Sequence, residues 1–252
     1  LDVGGALDRY GAPDADTVAI ALHGAVANRK TWLPLSRALP SGLELWCPDL
    51  PGHGSRRDEP FVLARALATV AGLVERALPR RVVLAGDSLG GYVALLAAAR
   101  SSGAIRAVVA GGCTWSMSGI AGAIARASGA PVRLLEEALG DVRLERWVAR
   151  AVPRFTDAET ADAIVRAGLR VRSRSESLAE LAGLDLTAHV RTLNVPIVFV
   201  NGARDWPTRA GERALLRAAG RAELVLGPNV GHGVGLLDPA AFARALASAA
   251  AL

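Results

Sequence analysis

Gly86-Asp87-Ser88-Leu89-Gly90-Gly91 lies between Arg81-Val82-Val83-Leu84-Ala85 and Tyr92-Val93-Ala94-Leu95-Leu96-Ala97-Ala98-Ala99. The first flank is short, apolar and partly β-branched, as a buried strand is. The second is long and rich in Ala and Leu, as a buried helix is. Between them stands G-x-S-x-G. A strand that turns at once into a helix forces its central residue into strained backbone geometry. Glycines two before and two after remove the Cβ atoms that would clash there. Such a turn holds the Ser88 hydroxyl clear of the backbone at the carboxyl end of a sheet. It also leaves the Leu89 amide at a helix N-terminus, where it can donate to a developing oxyanion.

Outward from this turn, strands and helices alternate. Upstream, residues 1–16 hold two short segments broken by Gly4-Gly5 and Gly11-Ala12-Pro13, and the pattern predicts an edge hairpin. Thr17–Leu22 is the first core strand and runs into His23-Gly24-Ala25. A helix is expected over Asn28–Leu39, with Asn28 as N-cap and Pro34 near its start. Leu43–Cys47 is a strand that leads into the turn-rich Asp49-Leu50-Pro51-Gly52-His53-Gly54-Ser55. Phe61–Leu78 is a helix closed by Pro79. Downstream, Ile105–Ala110 is a strand. From Cys113 to about Arg191 only helical spacing remains, as at Leu134, Leu135, Leu139, Leu144, Trp147, Val148 and Val152. Strands resume at Pro196–Val200 and Ala222–Leu226, with a helix over Thr208–Ala219 between them. A last helix starts at Pro239 behind Asp238 as N-cap.

This order implies an α/β fold, a mostly parallel sheet with helices on both faces. Residues 1–112 and 191–252 make the core, and 113–190 form a helical insert within the same domain. Loops at the carboxyl ends of parallel strands build the ligand site. His23, Ser88, Cys113, Asp205 and His232 all follow expected strands, so one crevice collects them.

Serine needs a base to take its proton, and the base needs an orienting group. His232, after a strand and flanked by glycines, is the base candidate. Asp205 is the acid candidate, because Gly111 to Leu135 contains neither Asp nor Glu and the next acid, Glu136, lies deep in the insert. Either residue also has a plainer reading, His232 as a loop histidine and Asp205 as the cap of the following helix. His23 and His53 read as braces of their own turns. Trp115, Met117, Trp206 and Cys113 stand next to crevice loops and are candidates to line a substrate pocket. Arg143, Arg146, Arg150 and Arg154 recur at helical spacing among as many acids and read as a solvated face.

The chain resembles a serine-dependent member of the α/β-hydrolase superfamily. Five segments carry the resemblance: His23-Gly24-Ala25, Asp49–Ser55, Gly86–Gly91, Gly202-Ala203-Arg204-Asp205, and Gly231-His232 followed by Pro239. The resemblance implies that the amides of Ala25 and Leu89 form the oxyanion hole and that residues 113–190 cap the site. Serine at the nucleophile position argues against the branches that attack with a carboxylate, the epoxide hydrolases and haloalkane dehalogenases. The expected reaction is cleavage of a carboxylic ester of a small, mostly apolar substrate through an acyl-enzyme. Thioester, lactone and C–C cleavage use the same groups. A ligand receptor or a non-hydrolytic catalyst on this fold is the alternative from another class.

Composition narrows the rest. The 252 residues are 51% hydrophobic, enough for one large core. The net charge of +5 comes almost wholly from arginine, since Lys30 is the only lysine. It is spread thinly and few aromatics accompany it, which speaks against a nucleic-acid partner. No apolar run reaches membrane-spanning length, and no basic-then-apolar leader pattern opens the chain. Cys47 and Cys113 form no C-x-x-C, so two free thiols and a reducing, cytoplasmic setting are expected. His and carboxylates do not fall at metal-ligand spacing, so neither metal nor cofactor is expected. The expected partner is a small-molecule substrate, for a monomer or homodimer.

Overall fold

The computed structural model describes residues 5–100 and 103–252. Its centre is a seven-stranded sheet of order β1-β3-β2-β4-β5-β6-β7. The strands are β1 (Leu7–Gly11), β2 (Thr17–Leu22), β3 (Leu43–Pro48), β4 (Arg81–Asp87), β5 (Ile105–Gly111), β6 (Ile197–Gly202) and β7 (Ala222–Gly227). All neighbours run parallel except β1, which pairs antiparallel with β3. The hairpin expected over residues 1–16 is therefore corrected. Residues 1–4 lie outside the described part, and the rest supplies one strand whose partner is β3.

Alternate residues along each strand face opposite layers. Val18, Ile20 and Leu22 of β2 and Leu84 of β4 pack with Leu67, Val70 and Leu73 of α2 (Leu63–Ala77) and with α3 (Leu89–Ala98). Ala19, Ala21, Val83 and Ala85 face the other side, against Leu35 of α1 (Leu33–Arg37) and Phe242 and Leu246 of α12 (Pro239–Ala251). Trp32 and Phe242 are fully buried there, with ring centroids 5.0 Å apart. Asn28 caps as expected, accepting from the Lys30 amide. Its helix, however, is a 3-10 turn over Arg29–Trp32 followed by α1, because Pro34 fits only a first helical turn. Asp238 accepts from the Ala241 amide and caps α12.

Between β5 and β6 the described elements are helices: α4 (Gly119–Ala127), α5 (Ala130–Leu139), α6 (Asp141–Ala151) with a 3-10 turn over Val152–Arg154, α7 (Ala158–Ala167), α8 (Ser173–Glu180) and α9 (Leu186–Arg191). The apolar spacing read there is only partly a core. Leu144 and Val152 are buried, while Leu134, Leu135, Leu139 and Trp147 are largely exposed. Arg143, Arg146, Arg150 and Arg154 are exposed. Beyond the insert, α10 (Trp206–Ala218) starts two residues before the expected Thr208, since Pro207 is tolerated in a first turn. The short α11 (Val234–Leu237) was not legible in its glycine-broken sequence. No described helix is long and apolar enough to cross a membrane.

Candidate active site

The sheet reverses its order at β2, which has β3 on one side and β4 on the other. A crevice opens at the carboxyl ends of such neighbours. Ser88 stands there, between β4 and α3, with φ +54°. Two close approaches hold that turn. A Cβ on Gly86 would sit 2.2 Å from the Gly90 carbonyl, and one on Gly90 would sit 1.9 Å from the Leu22 carbonyl oxygen. Only glycine lets α3 seat this tightly on β2 and β4.

His232 lies in the loop after β7 and Asp205 in the loop after β6. His232 Nδ1 donates to Asp205 Oδ2 at 2.8 Å, and its Nε2 lies 2.9 Å from Ser88 Oγ. With the proton on Nδ1, Nε2 is free to accept from the serine hydroxyl. Asp205 stands at the N-cap position of α10, yet its carboxylate serves His232 instead of capping that helix.

The charges around the imidazole are set against one another. Burial pushes His232 down, but the hydrogen bond to Asp205 and the charges of Asp87 and Asp205 outweigh it, so its pKa is raised; Arg174 opposes them. Burial likewise pushes Asp205 up, and the His232 hydrogen bond and charge reverse that to a net lowering. Asp87 is fully desolvated, which pushes its carboxyl up, with the His232 charge pulling back. Its Oδ2 accepts from the Gly235 amide at 3.3 Å, while its Oδ1 is buried without a hydrogen-bond partner among the described residues. Asp87 is thus a second carboxyl beneath the histidine.

Ala25 follows β2 in the loop His23-Gly24-Ala25. Neither its amide nor that of Leu89 donates to another described residue. The next residue, Val26, has φ +71°, a costly conformation for a β-branched side chain. The insert holds it there. Val26 N donates to Ser173 Oγ at 2.8 Å, and Arg170 N donates to the Val26 carbonyl at 3.1 Å. Behind Ala25, buried His23 donates from Nδ1 to its neighbour's carbonyl, that of Gly24, and accepts from the Leu50 amide through Nε2 at 3.1 Å, which is the bracing read from sequence.

Two chambers of about 310 and 300 Å³ share Ser88, His232 and Arg174 in their walls. The first, under Ala25, is apolar, with Val148, Val152, Phe155, Ile164 and Leu169 from the insert. The second holds Tyr92, Trp115 and Met117, and the Tyr92 hydroxyl donates to the Trp115 carbonyl at 2.6 Å. Of the pocket candidates, Trp115 and Met117 line this chamber. Trp206 and Cys113 do not. Trp206 opens α10 and is 78% exposed, and it borders neither chamber. Cys113 is buried under α3, against Gly91, where burial pushes its thiol up. The insert residues of the first chamber and Arg174 escaped the sequence reading. Val148 and Val152 gave a helical-spacing signal, but nothing in it said which side faced the serine.

This sheet, with its strained serine turn and its hydrogen-bonded Ser-His-Asp chain on the loops after β4, β6 and β7, defines an alpha/beta hydrolase. The model of the alpha/beta hydrolase family matches residues 19–245, and the chain belongs to that family. A pimeloyl-[acyl-carrier protein] methyl ester esterase of Neisseria meningitidis is 28% identical over 250 residues, covering 94% of this chain and 93% of that protein. Among solved structures, MenH from S. aureus matches with a TM-score of 0.77 at 18% identity over 97% of both chains. The enol-lactonase from Burkholderia xenovorans LB400 matches with a TM-score of 0.76 at 19% identity, over 100% of this chain and 99% of that one. These two structures share the fold.

Proposed function

We propose that this protein is a serine hydrolase that cleaves a carboxylic ester through an acyl-enzyme. The observation that carries the reading is the unbroken chain from Asp205 Oδ2 through His232 to Ser88 Oγ, with contacts of 2.8 and 2.9 Å. His232 Nε2 takes the serine proton as Oγ attacks the acyl carbonyl. Negative charge then develops on the former carbonyl oxygen, where the free amides of Ala25 and Leu89 donate to it. The alcohol leaves with the proton from His232, and water activated by the same imidazole releases the acid. Asp205 fixes the tautomer and steadies the imidazolium. The Neisseria relative is named for a methyl ester, which supports an ester as the bond cut. The apolar chamber supports an apolar acyl or aryl group on a small-molecule substrate. Residues 113–190 act as a cap, supplying the apolar wall of Val148, Val152, Phe155, Ile164 and Leu169 and clamping Val26.

A labelled fluorophosphonate is expected to mark Ser88, and a panel of p-nitrophenyl esters from acetyl to dodecanoyl to be cleaved with a chain-length optimum. No label and no cleavage would leave the receptor reading in its place.

The pH profile follows from the charges. A general base works only when neutral, so a raised His232 pKa puts the acid limb of kcat/KM above the ordinary imidazole range. Asp87→Asn removes one of the charges holding the proton on. Its limb is expected to move to lower pH, and a limb that stays or rises would show that Asp87 does not act on His232.

A further inference from the structure

We infer that Arg174 is the anion-recognising residue of this site and that the preferred substrate is an ester bearing a free carboxylate. The inference rests on the esterase reading and names the substrate class. Among the described residues Arg174 is the only arginine or lysine in the wall of either chamber, and it borders both at the point where they meet Ser88 and His232. The arginines around it are occupied. Arg170 and Arg172 share Glu176, and Arg57 pairs with Glu145. Among the described residues Arg174 has no carboxylate partner and its side chain makes no hydrogen bond. Of the two carboxyls nearby, Asp205 is bonded to His232, and Asp87 accepts from the Gly235 amide through Oδ2 while its Oδ1 is unpaired; neither bonds Arg174.

The backbone that carries Arg174 is fixed. Its neighbour Ser173, fully buried, accepts from Val26 N at 2.8 Å and donates to the Arg170 carbonyl at 2.6 Å. The first turn of α8 is thus pinned to the loop that carries Ala25, and Arg174, exposed to solvent, borders both chambers close enough for its charge to act on His232. A planar fork of donors beside two largely apolar chambers matches a carboxylate in geometry as well as charge. Among the described residues no other side chain lining the chambers carries a fixed positive charge.

The test compares esters that differ only in a masked charge. One arm places the carboxylate on the acyl side, as p-nitrophenyl hydrogen adipate against p-nitrophenyl methyl adipate, read by p-nitrophenol release. The other places it on the leaving group, as 4-acetoxybenzoate against its methyl ester. Wild type is expected to favour the anionic member of at least one pair by about tenfold or more in kcat/KM, mainly through KM. Arg174→Gln is expected to bring that ratio close to one, and Arg174→Lys to keep part of it. A wild-type ratio near one in both arms overturns the proposal while leaving the esterase intact. A ratio unchanged in Arg174→Gln does the same. If wild type cleaves neither member of either pair and the fluorophosphonate fails to mark Ser88, the esterase reading itself falls and takes this proposal with it. Labelling without cleavage of any of the four esters leaves the nucleophile in place and overturns the substrate class.

Discussion

Ser88→Ala lowers kcat/KM for every ester the wild type cleaves by about 10⁴-fold or more, and leaves the protein folded. The rate falls because the attacking atom is gone. What remains is binding and the two amides, which act on water without an oriented nucleophile. The fold survives because alanine keeps the Cβ, suffers the same positive φ as serine, and gives up one side-chain contact, to His232. His232→Ala falls by a similar factor, and the double variant is little worse than either, since the chain works as a unit. Progress curves on a p-nitrophenyl ester, with urea unfolding in parallel, check both halves. A Ser88→Ala protein retaining more than about 1% of wild-type rate would remove Ser88 from the mechanism.

Gly90→Ala is expected to cost more than about 3 kcal/mol of stability, at the upper end of what overpacking does. The added Cβ would lie 1.9 Å from the Leu22 carbonyl oxygen and 2.9 Å from that of His23. Both are backbone atoms at the end of a central strand, so no side chain can swing away. Either α3 lifts from the sheet and carries Ser88 with it, or β2 distorts and moves Ala25. Activity therefore falls along with the unfolding midpoint. Gly72→Ala is the control. Gly72 is inside α2 with nothing within 4 Å of an added Cβ, and alanine there is expected to stabilise by about 0.5–1 kcal/mol. Urea midpoints of the two variants decide the matter; equal midpoints would mean that the close approach does not hold the turn.

The parts of the site that sequence revealed are those fixed by chain direction. Strand lengths, glycine spacing and the position just after a strand placed Ser88, Asp205 and His232 on one edge, and a parallel sheet leaves such loops nowhere else to go. What sequence did not reveal is set by how a side chain leaves its element. Trp206 and Cys113 sit beside the right loops in sequence, but one ring leaves α10 towards water and one thiol turns under α3. The insert is the extreme case. Helical spacing marks an apolar face on α5 and α6 without naming what it meets, so Val148 reaches the chamber while Leu134 and Trp147 stay in solvent. Phe155, Ile164 and Arg174 gave no signal, because their roles exist only once these helices have docked on the sheet. Val26 gave none either, since its backbone is bent by Ser173, which lies 147 residues away.

Ser88 and His232 are 144 residues apart, and Ser88 hydrogen-bonds through its own amide to Gly111 on the neighbouring strand. Catalytic turnover is therefore a reporter of complete folding. During synthesis no ester can be cut until the chain through His232 has left the ribosome and β6 and β7 have joined the sheet, with α12 packed behind them. In a denaturant titration the last activity should vanish with the sheet itself. Loosening of α5 and α6, whose apolar residues are least buried, should come earlier and appear first as a change in substrate preference.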